Sequence, residues 1–117
     1  MLVAFSLAPS GGRESDDSVH HAVAAAVRVV RDSGLPNHTD SMFTTIEGEW
    51  DEVFAVLKKA TEAVSEWGTR VSLVLKADIR PGRSGELIGK VERLEAALQE
   101  PATPLRPDAA AEPSQGA

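Results

Sequence analysis

Thr44-Thr45-Ile46-Glu47-Gly48-Glu49-Trp50-Asp51-Glu52-Val53 packs a polar strand, a turn glycine and an acidic helix start into ten positions. Thr44 to Glu47 read as a strand, because β-branched side chains fit a pleated, half-buried surface. Gly48 breaks it. Glu49, Asp51 and Glu52 then place negative charge where the free N–H groups and the dipole of a helix N-terminus favour it. The strand delivers its last carboxylate, Glu47, to the rim where sheet meets helix. Such a rim reads in two ways, as a site for a small polar ligand or as an ordinary strand-to-helix turn.

Working outward, the helix opened by this stretch runs from about Trp50 to Trp67, with Val53, Val56, Leu57, Ala60 and Val64 as its apolar stripe and Gly68 as its stop. Arg70 to Arg80 follow as the cleanest period-two segment: Val71, Leu73, Leu75, Ala77 and Ile79 alternate with Ser72, Val74, Lys76, Asp78 and Arg80. Upstream, Leu2 to Ala8 alternate as a first strand, with Val3, Phe5 and Leu7 on one face and Ala4 and Ser6 on the other. A first helix begins near Asp16-Asp17-Ser18, carries Val19, Val23, Ala26, Val27 and Val30 at three- and four-residue steps, and ends at Ser33-Gly34. Pro36 to Asp40 make a short polar strand suited to a sheet edge, since Pro36 has no N–H to give a ladder. Met42 to Glu47 make the third strand.

After Pro81-Gly82 a third helix aligns Leu87, Val91, Leu94 and Leu98, and beyond Glu100 the chain turns to proline and alanine. Residues 1–100 thus read as one domain, and 101–117 as a disordered Pro/Ala-rich tail that buries too little apolar surface to offset its ordering entropy. The order βαββαβ plus a helix predicts an α+β fold, a ferredoxin-like sandwich with an additional C-terminal helix. Its expected core is Phe5, Val23, Val27, Val53, Leu57, Leu73 and Leu75.

The 117 residues carry 18 acidic against 12 basic side chains, a net charge of -6, and the basic residues are scattered. That argues against a nucleic-acid partner, whose phosphates demand a positive footprint. The absence of cysteine removes disulfides, thiolate metal sites and cysteine nucleophiles together. No stretch approaches the roughly 20 apolar residues that span a bilayer, and Met1 to Ala8 lack the basic leader of a signal peptide, so a cytoplasmic protein without a membrane partner is expected. A domain this small buries about two thirds of its unfolded surface, and an open sheet face carrying Ala4, Ser6 and Val74 would gain from association.

Other constellations carry less chemistry. His20 and His21 are adjacent and point about a hundred degrees apart on a helix, whereas helical metal ligands need three- or four-residue spacing. No metal or cofactor is expected. Pro9-Ser10-Gly11-Gly12-Arg13 lacks a P-loop lysine and reads as a flexible loop or a lid. No nucleophile elbow surrounds a serine, and Trp50 and Trp67 read as packing residues.

The Thr-Thr-Ile-Glu-Gly-Glu run, the Asp51-Glu52-Val53 helix start and the Lys76-Ala77-Asp78 strand resemble the small thiamine-binding family of ferredoxin-like domains. Ala8-Pro9, Ser33-Gly34 and Lys90-Val91 also sit where that family has similar residues, and the likeness covers residues 1 to 99. The resemblance implies binding of thiamine or its hydroxymethylpyrimidine portion, without catalysis, by homodimers or homotetramers. An aminopyrimidine needs an acceptor for its amine, a partner for a ring nitrogen and an apolar face. Alternation sends Phe43, Thr45 and Glu47 to the face that bears Lys76 and Asp78, with Phe43 as the stacking surface. These five are the candidate ligand-binding residues. Two readings stay open: a small-molecule binding module, and an oligomeric structural or regulatory interaction domain that holds no ligand.

Overall fold

The computed structural model describes residues 1–12 and 16–101; the expectations for Arg13 and for the tail beyond residue 101 fall outside them. The elements are β1 (Leu2–Ser10), α1 (Asp16–Asp32), β2 (Asn37–Thr39), β3 (Thr44–Glu47), α2 (Trp50–Ser65), β4 (Arg70–Asp78) and α3 (Glu86–Gln99). The four strands form one antiparallel sheet in the order β2-β3-β1-β4. Each crossover helix joins two parallel strands with a third between them, so α1 and α2 fall on the same face.

Period two fixes that face. Val3, Phe5 and Leu7 point into the helical layer, and the register pairs Val3 with Ile46 and Phe5 with Thr44, all of them buried. From α2 come Val53, Val56, Leu57, Ala60 and Val64, the stripe expected from the sequence. Lys58, Lys59, Glu62 and Glu66 stay in water on its other side. Its start is a capping box: the Glu49 N–H donates to Glu52 Oε1 at 3.1 Å, and the Glu49 side chain accepts the Glu52 N–H in return.

The expected core needs correction at four residues. In α1 the buried line is Ala22, Ala26 and Val30, while Val27 is half-buried and Val23 is exposed. Residues 22–27 are apolar all round the helix, so spacing alone leaves its rotation open. The small alanines win because they let α1 approach α2 and β1 closely. Leu73 and Leu75 do lie on the core face, opposite Leu7 and Phe5, yet they are 40% and 39% exposed. They belong to an edge strand, with cover from one flank.

Two boundaries also shift. β1 extends to Ser10, whose partner is Arg70, so Pro9 and Ser10 are strand and not loop. The loop that follows is held down: Thr69 Oγ1 donates to the Gly11 carbonyl at 3.0 Å, and a Cβ on Gly12 would meet the Gly68 Cα at 2.8 Å. At the other edge β2 shrinks to Asn37–Thr39.

Candidate functional site on the open sheet face

The sheet face turned away from α1 and α2 is built from the alternate residues of each strand. The register sets out two rows across it: Glu47–Leu2–Asp78 and His38–Thr45–Ala4–Lys76. Strands about 4.8 Å apart put Thr45 and Lys76 roughly 10 Å from each other, with the Ala4 methyl between them. The floor is therefore small and apolar, and its two sides are polar. Glu47 is buried at 7% exposure, Thr45 and Asp78 are half-buried, and Lys76 reaches into water.

α3 closes one end of this face. The residue before it, the N-cap Gly85, is in the left-handed region and offers no side chain as a cap. Glu47 supplies the missing acceptor from another element: the Glu86 N–H donates to Glu47 Oε2 at 2.8 Å and the Leu87 N–H to Oε1 at 3.3 Å. A carboxylate at the positive end of the helix dipole is favoured there, and the bonds are charge-assisted. One turn on, Lys90 Nζ donates to Asp78 Oδ2 at 2.5 Å. This bond, opposed by partial burial, holds the Asp78 carboxyl below its ordinary range, with further help from the charges of Lys90, Arg80 and Lys76. Glu86 is buried under Arg93, whose Nη2 lies 2.5 Å from Glu86 Oε2, with Arg83 farther off at 3.6 Å. The Arg93 hydrogen bond is the main reason the Glu86 carboxyl is also depressed.

Four of the five residues proposed from sequence thus share one surface: Thr45, Glu47, Lys76 and Asp78. Phe43 does not join them. Asp40 Oδ1 accepts the Met42 and Phe43 N–H groups at 2.8 and 2.9 Å, and the Asp40 N–H donates to the Phe43 carbonyl at 2.9 Å. Phe43 is a turn residue ahead of β3, where strand alternation does not apply. It lines a cavity of about 150 Å³ on the helix side, with Phe5, Leu7, Val23 and Val27. The same two N–H groups hold the Asp40 carboxyl below its usual range.

The site also contains residues that the sequence reading left out: Glu86, Lys90 and Arg93 on the first two turns of α3. A signal was present for one pair, since Glu86 and Arg93 are seven residues apart, a spacing that returns to the same side of a helix. Asp78 and Lys90 belong to different elements, and no local pattern announces that pair. Of the histidines, His21 finds a packing role: its ring stacks on Trp67 with centroids 5.8 Å apart.

A four-stranded antiparallel sheet with two helices on one face, assembled from two interleaved βαβ halves, is a ferredoxin-like α+β domain. The chain belongs to the thiamine-binding protein family, whose model matches residues 3–95 and so includes all five candidate positions. It is 51% identical over 102 residues to UPF0045 protein Mb1933 of Mycobacterium bovis, a match that covers 86% of this chain and 97% of that one. Among solved structures it is similar to the hypothetical protein MJ1052 of Methanocaldococcus, with a TM-score of 0.70, 28% identity and coverage of 80% of this chain and 94% of that chain. A Thermotoga maritima protein provisionally assigned to thiamine biosynthesis or salvage shares the fold, with a TM-score of 0.67 at 22% identity over 80% of this chain and 96% of that one. Among the described residues no helix is long and apolar enough to cross a membrane.

Proposed function

We propose that this chain is a non-catalytic binding protein for thiamine or its hydroxymethylpyrimidine portion, which it takes up on the open sheet face beside the start of α3. The observation that carries this reading is the arrangement of Thr45, Glu47, Lys76 and Asp78 around the small floor of Leu2 and Ala4. A flat ring can lie on that floor. Glu47 spends one lone pair of each oxygen on α3 and keeps others for an exocyclic amine, while the Thr45 hydroxyl both donates and accepts. The family description supports the choice of ligand. Phe43, from its place in the turn, does not supply the stacking surface, and the ring instead rests on aliphatic side chains.

Titration calorimetry with thiamine, hydroxymethylpyrimidine and the thiazole half tests this directly. Binding by the first two, with the ligand recovered unchanged, is expected. Glu47→Gln should weaken it by about 1.5 to 3 kcal/mol, and Thr45→Val, which removes a neutral hydrogen bond, should do less. Absence of binding by the wild type would sink the reading.

A second reading rests on its own observation. Ile88, Val91, Leu94 and Leu98 on α3 and Val74 on the β4 edge are all more than half exposed. An unpaired edge strand beside an apolar helix side is a surface that a second copy of the chain can cover, and a homodimer or homotetramer follows from it. In that form the domain also serves as an interaction module, with or without ligand. Sedimentation distinguishes the two states, and a monomer at micromolar concentration would remove this second reading.

A further inference from the structure

Arg80-Pro81-Gly82-Arg83 joins β4 to α3 as a tight turn. The Arg83 N–H donates to the Arg80 carbonyl at 3.1 Å, proline presets the second position, and Gly82 takes the left-handed conformation at the third, with φ +77°. This is a type II turn, and it brings its first and fourth residues within about 7 Å at Cα. The turn thereby brings two arginines to one end of the sheet in an acidic chain.

The nearby carboxylates, Asp78 and Glu86, feel the charge of Arg80 and have their close hydrogen-bond partners elsewhere, in Lys90 and Arg93. Among the described residues Arg80 makes no ion pair, and Arg83 has only the 3.6 Å approach to Glu86, which Arg93 already engages at 2.5 Å. Both arginines line a cavity of about 150 Å³, together with Ile79, Pro81, Gly82, Met1, Glu49 and Trp50. That volume suits one six-membered ring. The Trp50 indole is half exposed on its wall and is kept in place by stacking on Phe54, with centroids 5.1 Å apart and planes 12° from parallel. Glu49 is committed to the capping box of α2.

The geometry points to a binding site here for a small phosphate-bearing ring, an aryl or heteroaryl phosphate, whose ring packs against Trp50 and whose phosphate takes Arg80 and Arg83. A planar guanidinium matches phosphate oxygens two at a time, and two of them together meet a dianion. The indole and Ile79 give the ring its apolar contacts. The site lies beyond the end of β4 and adjoins the open sheet face through Arg83 and Glu86, and its anionic ligand differs from the cationic or neutral one proposed there.

The test uses phenyl phosphate, inorganic phosphate and phenol as probes of the full chain. Calorimetry should show phenyl phosphate binding at least tenfold more tightly than either fragment, and the indole N–H resonance of Trp50 should shift while that of Trp67 stays put. Arg80→Gln with Arg83→Gln should lower phenyl phosphate affinity at least tenfold. Trp50→Leu should erase the preference over inorganic phosphate. No binding of phenyl phosphate by the wild type, or unchanged binding by the double variant, overturns the assignment. Thiamine binding is measured in parallel, so that failure at one site is not read as failure at the other.

Discussion

α2 and α3 read alike in sequence and behave differently in the fold. Each carries an apolar line at three- and four-residue steps, yet the α2 line is buried to the last residue while Leu94 in the middle of the α3 line is 57% exposed. α2 lies in the helical layer, held by apolar contact with β1 and α1. α3 is fixed by polar groups at its first turns, Glu47 at its N-terminus and Asp78 on Lys90, while the Arg93–Glu86 pair braces the helix from within. Periodicity therefore announces that a helix has an apolar side to cover, and it does not say whether the cover lies within the same chain.

The largest effect expected from this contrast is on α2. Leu57 is 3% exposed within the core cluster, and Leu57→Ala should destabilise the fold by about 2 to 5 kcal/mol, the lost transfer energy plus the cavity left behind. Chemical denaturation reads this out. A loss below about 1 kcal/mol would mean that the α2 packing is loose and the contrast with α3 is false.

Next in size is the polar anchor. Glu47→Gln removes the charge from two bonds to the α3 amides, so the loss should be about 1 to 2 kcal/mol and should fall on α3 alone. Amide hydrogen exchange should speed up at Glu86 and Leu87 and stay unchanged in α2. This measurement also separates the two roles of Glu47. Faster exchange with unaltered ligand affinity would leave it as a helix cap only.

How much of this could be read beforehand follows from the local signals. The α2 stripe was legible because charged residues at 58, 59, 62 and 66 mark its wet side. The α1 stripe was not, since alanine and valine fill both candidate faces from 22 to 27. Thr45, Glu47, Lys76 and Asp78 fell on one surface because strand period two is strict. Phe43 departs from that surface because alternation stops at Thr44, and the two residues before it lie in a turn that Asp40 governs. Leu73 and Leu75 show a third limit: period two assigns a face correctly, but burial depends on where the strand lies in the sheet, and β4 is an edge. The role of Glu47 as cap for α3 joins positions about forty residues apart and is visible only in three dimensions.

Acid should loosen α3 before it touches α2. Asp78 and Glu86 both have folded carboxyl values held below the ordinary range, chiefly by Lys90 and Arg93 respectively. Their stabilising contribution is therefore full above the ordinary carboxylate range and is lost as pH falls through the depressed folded values. Methyl resonances of Leu87 should begin to shift in that window while those of Leu57 hold. Simultaneous change in both helices would indicate one cooperative unit and remove the distinction between apolar and polar attachment.

The smallest effect on the chain's own fold is expected at Leu94. Its side chain packs on little within the monomer, so Leu94→Ala should change the unfolding free energy of dilute protein by no more than about 0.5 kcal/mol, as for other surface substitutions. The same substitution should act strongly on self-association. If a second copy covers α3, the wild-type midpoint rises with protein concentration, because association stabilises the folded form by mass action. The variant should lose that dependence while matching the wild type at low concentration. A cost of 2 kcal/mol or more in the dilute limit would place Leu94 in contacts of its own chain, and α3 would then resemble α2 after all.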